Sequence, residues 1–188
     1  MNKRVFASAL LCTLVIAGGC TTTSSGTSDP KARAAAIDAG VDSMLAELYK
    51  QASGSEQLVR NAKGVLVFPA VISAAFVFGA STGDGALREA GRTTGYYRKT
   101  GGSVGFQAGA QSQAVFLLFM TQEALDAFKR SNGWTAGVDA SVTLINVGAN
   151  AQVTTNTAQQ AVVGYVLSNS GLMAGVSLDG TRIFPLSL

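Results

Sequence analysis

Beyond Gly64 the chain is a succession of short apolar runs separated by turn residues, and such a pattern demands a sheet. Val65 to Phe68 reads as a buried strand stopped by Pro69, and Ala74 to Phe78 as a second. Thr82-Gly83-Asp84-Gly85 carries the residues of a turn. Ala86 to Ala90 and Thr93 to Arg98 can pair as a hairpin around Gly91. Val104, Phe106, Ala108 and Ala110 alternate with polar or small residues at period two, and Ala114 to Met120 is continuously apolar, as a central strand would be. Val138, Ala140, Val142 and Leu144 alternate again, and the phase slips by one residue at Ile145 and runs on through Val153, as at a bulge. Ala161 to Ser168, Leu172 to Leu178 and Thr181 to Leu186 complete the set, with Asp179-Gly180 as a hairpin turn between the last two. Glycines at 105, 109, 148, 164 and 175 fall inside these strands, where they relieve crowding at bends.

Helices are few. Asp29 and Pro30 are an N-cap and a first-turn proline, and Ile37, Val41, Leu45, Leu48 and Ala52 follow at helical spacing, so an amphipathic helix runs from Pro30 to about Ser53. Its polar face holds Asp38, Asp42 and Glu47, which suits a helix covering a sheet better than one lying on a membrane. A short helix follows from Ser55, with Gly64 as its closing glycine. Thr121 caps another through Arg130, with Leu125 and Phe128 inward and Lys129 and Arg130 at its C-terminal turn. The expected class is α+β: a mostly antiparallel, curved or barrel-like sheet of about eight or nine strands, one N-terminal amphipathic helix and one inserted helix.

The first 19 residues read as an export signal. Lys3 and Arg4 precede an apolar run from Val5 to Ala17 that is too short to span a bilayer, and Gly18-Gly19 stand directly before Cys20. This looks like a bacterial lipoprotein signal, with Cys20 as the acylated first mature residue. Residues 20–28 are then a lipidated cysteine and a polar tether, and residues 29–188 a single domain. Thr21 and Thr22 leave no aspartate after the cysteine, so the usual retention signal for the inner membrane is missing and the outer membrane is the expected site.

Composition narrows the chemistry. Of the 14 basic residues, Lys3 and Arg4 leave with the signal, so 12 face 11 acidic ones, and nucleic acid is not an expected partner. The chain has no histidine, which removes imidazole bases, His-based metal sites and His-dependent nucleophile triads. The carboxylates are scattered, with Asp84, Asp139 and Asp179 in structural settings, and neither a calcium cluster nor a phosphate-cradling loop occurs, so no metal or cofactor is expected. Gly79-Ala80-Ser81-Thr82-Gly83 and Gly101-Gly102-Ser103-Val104-Gly105 match G-x-S-x-G. Without histidine only a Ser–Lys pair could activate such a serine, and glycine-rich turns produce the pattern by chance. The one local excess of positive charge is Arg88, Arg92, Arg98 and Lys99, flanking Tyr96 and Tyr97. These six are candidate lipid contacts, to be weighed against a merely solvated hairpin. Trp134 is either an interfacial or a core residue.

Four segments carry a family resemblance. Gly64-Val65-Leu66-Val67-Phe68-Pro69 resembles the opening motif of the SYLF domain family, and Gly102 to Gly109 its G-S-x-G-x-Q-x-G core. Gly137-Val138-Asp139-Ala140-Ser141-Val142 and Gly171 to Gly180 resemble its third motif and C-terminal signature, in family order. The resemblance implies a lipid-binding module. Eukaryotic members are associated with phosphoinositide membranes and in some cases actin, and bacterial members include exported lipoproteins. Where many relatives carry a lysine and paired glycines after the opening strand, this chain has Val71 to Phe76. The expected function is therefore that of a non-enzymatic, Cys20-anchored lipoprotein that contacts membrane phospholipid at the cell envelope. The alternatives are an interaction lipoprotein that binds an envelope protein, and a hydrolase using Ser81 or Ser103.

Overall fold

The computed structural model describes residues 29–75, 78–104, 109–145, 160–168, 171–172 and 177–188. Helices α1 (Pro30–Gln51) and α2 (Ser55–Asn61) precede strands β1 (Gly64–Ala75), β2 (Phe78–Glu89), β3 (Arg92–Val104) and β4 (Gly109–Phe119). Helix α3 (Gln122–Arg130), β5 (Trp134–Thr135), β6 (Val142–Leu144), β7 (Val162–Ser168), β8 (Gly171–Leu172) and β9 (Arg182–Pro185) follow. The strands form one curled, nine-stranded sheet in the order β5-β9-β3-β2-β1-β4-β7-β6, with β8 beside β7. Every pairing is antiparallel except β6 with β7. The α+β expectation is borne out.

Alternation explains how one sheet carries two cores. On β4, Val115, Leu117 and Phe119 point to the inner face with Leu66, Phe68 and Leu87, where α3 and Trp134 cover them. Ala114, Phe116 and Leu118 point outward with Val65 and Val67, under Ile37, Val41 and Leu48 of α1 and Leu58 of α2. A central strand covered on both sides has no polar face, hence its unbroken apolar sequence. Trp134 is 2% exposed and belongs to the core. Its ring stands edge-on to Phe128 at 5.8 Å between centroids. Helix α3 begins as its sequence requires, with the Thr121 hydroxyl accepting from the Ala124 N–H at 3.2 Å.

Several elements differ from the sequence reading. Pro69 does not stop β1. The register against β4 shifts between Phe68 and Val71, and a proline without an N–H is tolerated at such a bulge. Gly64 does not close α2. It opens β1, where a Cβ would come within 2.7 Å of Leu125. The stretch 82–85 is no turn but the middle of β2. A Cβ on Gly85 would lie 2.2 Å from the Val67 carbonyl oxygen, so glycine marks a close backbone approach there. The hairpin about Gly91 does form. Ala90 and Gly91 both have positive φ, 48° and 77°, as a two-residue primed turn requires.

The strand expected from Val138 begins only at Val142. Asp139 instead accepts the Thr135 N–H at 2.6 Å, which turns the chain and leaves Val138 79% exposed. Asp179-Gly180 is a turn, and β9 beyond it pairs with β3 and β5; most of the strand expected before it, residues 173–176, lies outside the described residues. Gly164 fits its expected role, since a Cβ there would meet Leu144 at 2.6 Å. The signal, Cys20, the tether, the phase slip beyond Ile145, and Gly105, Gly148 and Gly175 lie outside the described residues.

Gly85→Ala is expected to lower stability by about 1–3 kcal/mol through overpacking against β1. Ala90→Gly is expected to raise it by about 1 kcal/mol by relieving a left-handed alanine. Urea unfolding midpoints of the two variants check both signs.

Candidate functional site

The six residues singled out as lipid contacts do not form one patch. Strand pleating sends Arg88, Tyr96 and Arg98 to the outer face, toward α1, and Tyr97 and Lys99 to the inner face. Arg92 stands exposed beside the Ala90–Gly91 turn.

On the outer face, α1 supplies carboxylates that capture this basic row. Arg88 Nη2 meets Asp42 Oδ1 at 2.8 Å and also donates to the Asp38 backbone carbonyl at 3.3 Å. Asp38 accepts from the Tyr96 hydroxyl at 2.8 Å and from the Thr93 hydroxyl at 2.7 Å. Arg98 grips Asp84 with two hydrogen bonds, Nε to Oδ1 at 2.7 Å and Nη2 to Oδ2 at 3.1 Å. Arg33 of α1 joins the same carboxylate. Burial alone would raise the Asp84 pKa, but hydrogen bonds and charge from Arg98 and Arg33 outweigh it and hold the carboxyl below its usual range. Burial, with the bond to Asp38, pushes the Tyr96 phenol up.

On the inner face, Tyr97 packs against Phe128 with centroids 4.8 Å apart. Lys99 is only 3% exposed, and its one hydrogen-bond partner among the described residues is the Ser81 hydroxyl, at 3.3 Å. Burial without a counter-ion pushes its pKa down. Ser81 in turn donates to the Gly101 carbonyl at 3.3 Å. The side chain of Ser103 lies outside the described ones.

The end of the sheet at the β2–β3 turn gathers cations that the sequence reading passed over. Lys63 precedes β1, Arg60 ends α2, and Lys129 reaches Glu89 at 2.7 Å, which brings Arg130 to the same end. Among the described residues Lys63, Arg92 and Arg130 are exposed and form no ion pair. Next to Lys63 and Arg92, which follow its lining residues Ala62 and Gly91, opens a cavity of about 460 Å³ with Leu45, Val59 and Val65 on its walls and Asp42, Tyr49, Arg60 and Arg88 around them. Lys63 and Arg130 are far apart in sequence from the 88–99 segment, and only the pairing of β1 with β2 and the reach of α3 reveal them as neighbours. No group of acidic or thiol side chains that could hold a metal ion occurs among the described residues. No helix among them is long and apolar enough to cross a membrane.

Residues 100–186, from the second half of β3 to the end of the chain's last strand, match the Ysc84 family model, described as Las17-binding protein actin regulator. This is the SYLF family, so the resemblance seen in the sequence motifs is borne out over the matched residues. No curated protein matches the chain.

Asp84→Asn is expected to cost about 1 kcal/mol at pH 7, a charge-assisted bond discounted for its partial exposure. The folded carboxyl titrates below the unfolded value of about 3.9. Its contribution is therefore complete above that pH and fades as the pH falls through the folded value. The gap between wild type and variant, followed by urea unfolding, should close on the way to about pH 2.

Proposed function

We propose that this chain is a non-enzymatic lipoprotein, anchored through Cys20 at the bacterial cell envelope, most simply at the outer membrane, whose domain contacts anionic phospholipid head groups. The observation that carries this reading is the rim at the β2–β3 turn. There, Lys63, Arg92 and Arg130 are exposed without ion pairs among the described residues, and Lys63 and Arg92 directly follow Ala62 and Gly91 of a cavity wall that also holds Leu45, Val59 and Val65. Cations at such a rim meet phosphates, and apolar walls accept the adjoining glycerol or the first acyl carbons. The SYLF match adds a family associated with lipid binding or actin regulation. An exported domain meets lipid and not actin, so the lipid side of that association is the one carried over.

In this reading Arg88, Tyr96 and Arg98 are not direct contacts. They hold α1 on the sheet, and Tyr97 and Lys99 lie on the inner face. Arg92 alone of the six faces the lipid, in company with Lys63 and Arg130. Helix α1 stays docked when the domain binds.

Purified residues 29–188 should sediment with anionic vesicles and not with neutral ones, and salt should weaken the binding. Each basic side chain at an anionic surface contributes about 1 kcal/mol. Replacing Lys63 and Arg92 together by alanine should therefore weaken partition about 30-fold. A folded domain that binds neither vesicle would reject the head-group role, and a stoichiometric crosslink to one envelope protein in cells would replace it with a protein partner.

A further inference from the structure

Among the described residues three large apolar side chains are exposed, and of these only Ile72, 57% exposed, belongs to a strand. β1 has β2 on one side and β4 on the other, so Ile72 stands in mid-sheet between Thr82 and Ser112. Between it and the flank of α1 opens a cavity of about 540 Å³. Its apolar walls include Ile37 of α1 and Pro69, Ala70 and Ile72 of β1, and Arg33, Asp84 and Arg98 line it as well. Thr82 pairs with Ile72 and Asp84 pairs with Arg98, and Asp84 is two residues from Thr82. Pleating therefore sets Ile72, Asp84 and Arg98 on one face of the sheet, the outer one that carries α1. This cavity shares no lining residue with the one at the basic rim.

Charge is left over at this site. Asp84 cancels one guanidinium, and Arg33, carried in by α1, leaves one positive charge in excess. Arg98 commits Nε and Nη2 to Asp84 and Arg33 commits Nη2, while their other nitrogens have no partner among the described residues. The two side chains are 43% and 36% exposed, so ligands in solution reach them. We infer that this groove binds a fatty acid, with its carboxylate on the free N–H groups of Arg98 and Arg33 and its single alkyl chain laid over Pro69 and Ile72 along the flank of α1.

A lone exposed isoleucine is ordinary on a protein surface. One that walls a cavity with two guanidiniums beside it has the makings of a site for an amphiphile, apolar along its length and polar at one end. The charge count selects the head group. A carboxylate carries one negative charge and neutralises the excess, whereas a doubly charged phosphate would overshoot it and be repelled by Asp84. The strand geometry sets the reach. Arg98 and Ile72 lie two strands apart and two residues out of line, roughly 12 Å in all. A zigzag alkyl chain with bonds of about 1.5 Å covers that span with about eight to ten carbons.

The test is to titrate the purified full chain, labelled at its isoleucine methyl groups, with hexanoate, octanoate and decanoate below their micelle concentrations, and with octanol. Saturable one-to-one binding is expected, with the largest methyl shift at Ile72. Affinity should rise by up to about 4-fold for each added methylene. Octanol, which lacks the charge, should bind at least about 10-fold more weakly than octanoate. Ile72→Ser should lose most of the dependence on chain length, and Arg33→Gln should bring octanoate down toward octanol. No saturation, an unmoved Ile72 methyl, octanol as tight as octanoate, or unchanged binding in Ile72→Ser would each overturn the assignment. The methyl shifts and the ligand series need only the wild-type chain, so they decide the matter even if a variant does not fold. The rim variant with Lys63 and Arg92 both replaced by alanine should bind decanoate as wild type does, and a loss there would move the ligand to the rim and overturn the groove. Decanoate binding by a chain that binds no vesicle would uphold the groove and reject the head-group role alone.

Discussion

The grip of α1 on the outer face of the sheet is the interaction on which the rest of this structure depends. Asp38 and Asp42 come from one face of the helix, and Arg88, Thr93 and Tyr96 come from two adjacent strands. The bonds lock the helix across the β2–β3 hairpin, while Arg33 adds a second attachment at Asp84 and Arg98. Beneath these polar contacts Ile37, Val41 and Leu48 are buried against Val65, Val67 and Phe116. Apolar burial supplies the larger share of the docking energy, and the ionic bonds fix the helix over one hairpin and in one orientation. The same bonds neutralise a basic row that would otherwise look like a lipid site.

How much of this could be read from the sequence follows from what kind of signal each element leaves. Helix α1 was legible because its cap, its proline and its apolar spacing are all local, and α3 was legible for the same reason. The β2–β3 hairpin was legible in its turn and not in its length. Thr82 to Gly85 looks like a turn because glycine serves both turns and close strand approach, and only the position of the Val67 carbonyl decides between them. Pro69 misled in the same way, since a bulge that absorbs a proline is a property of two neighbouring strands. The candidate lipid contacts were chosen by proximity in sequence. Pleating then divided them between faces, and the α1 groups that capture Arg88 and Tyr96 lie 50 and 58 residues upstream. Lys63 and Arg130 carry no local mark that sets them apart from any other surface cation.

Helices α1 and α2 cover one face of the central strands, and α3 with Trp134 covers the other. The basic end near the β2–β3 turn offers charge and apolar walls together, which is the pattern a phospholipid presents in reverse. The far stretch of the same hairpin differs, with Lys99 buried beside the Ser81 hydroxyl. Domains of the SYLF family are associated with lipid binding or actin regulation. In this chain the residues that would make such contact are set by strand pairing, not by a linear basic motif.

Amide hydrogen exchange on residues 29–188, alone and bound to anionic vesicles, tests most directly the claim that α1 is part of the folded body and not a membrane-seeking arm. Protection across Ile37 to Leu48 should be the same in both states, with new protection confined to the neighbourhood of Lys63, the β2–β3 turn and Arg130. Loss of protection throughout α1 on vesicle binding would show that the helix leaves the sheet to meet the lipid, and the account would fail.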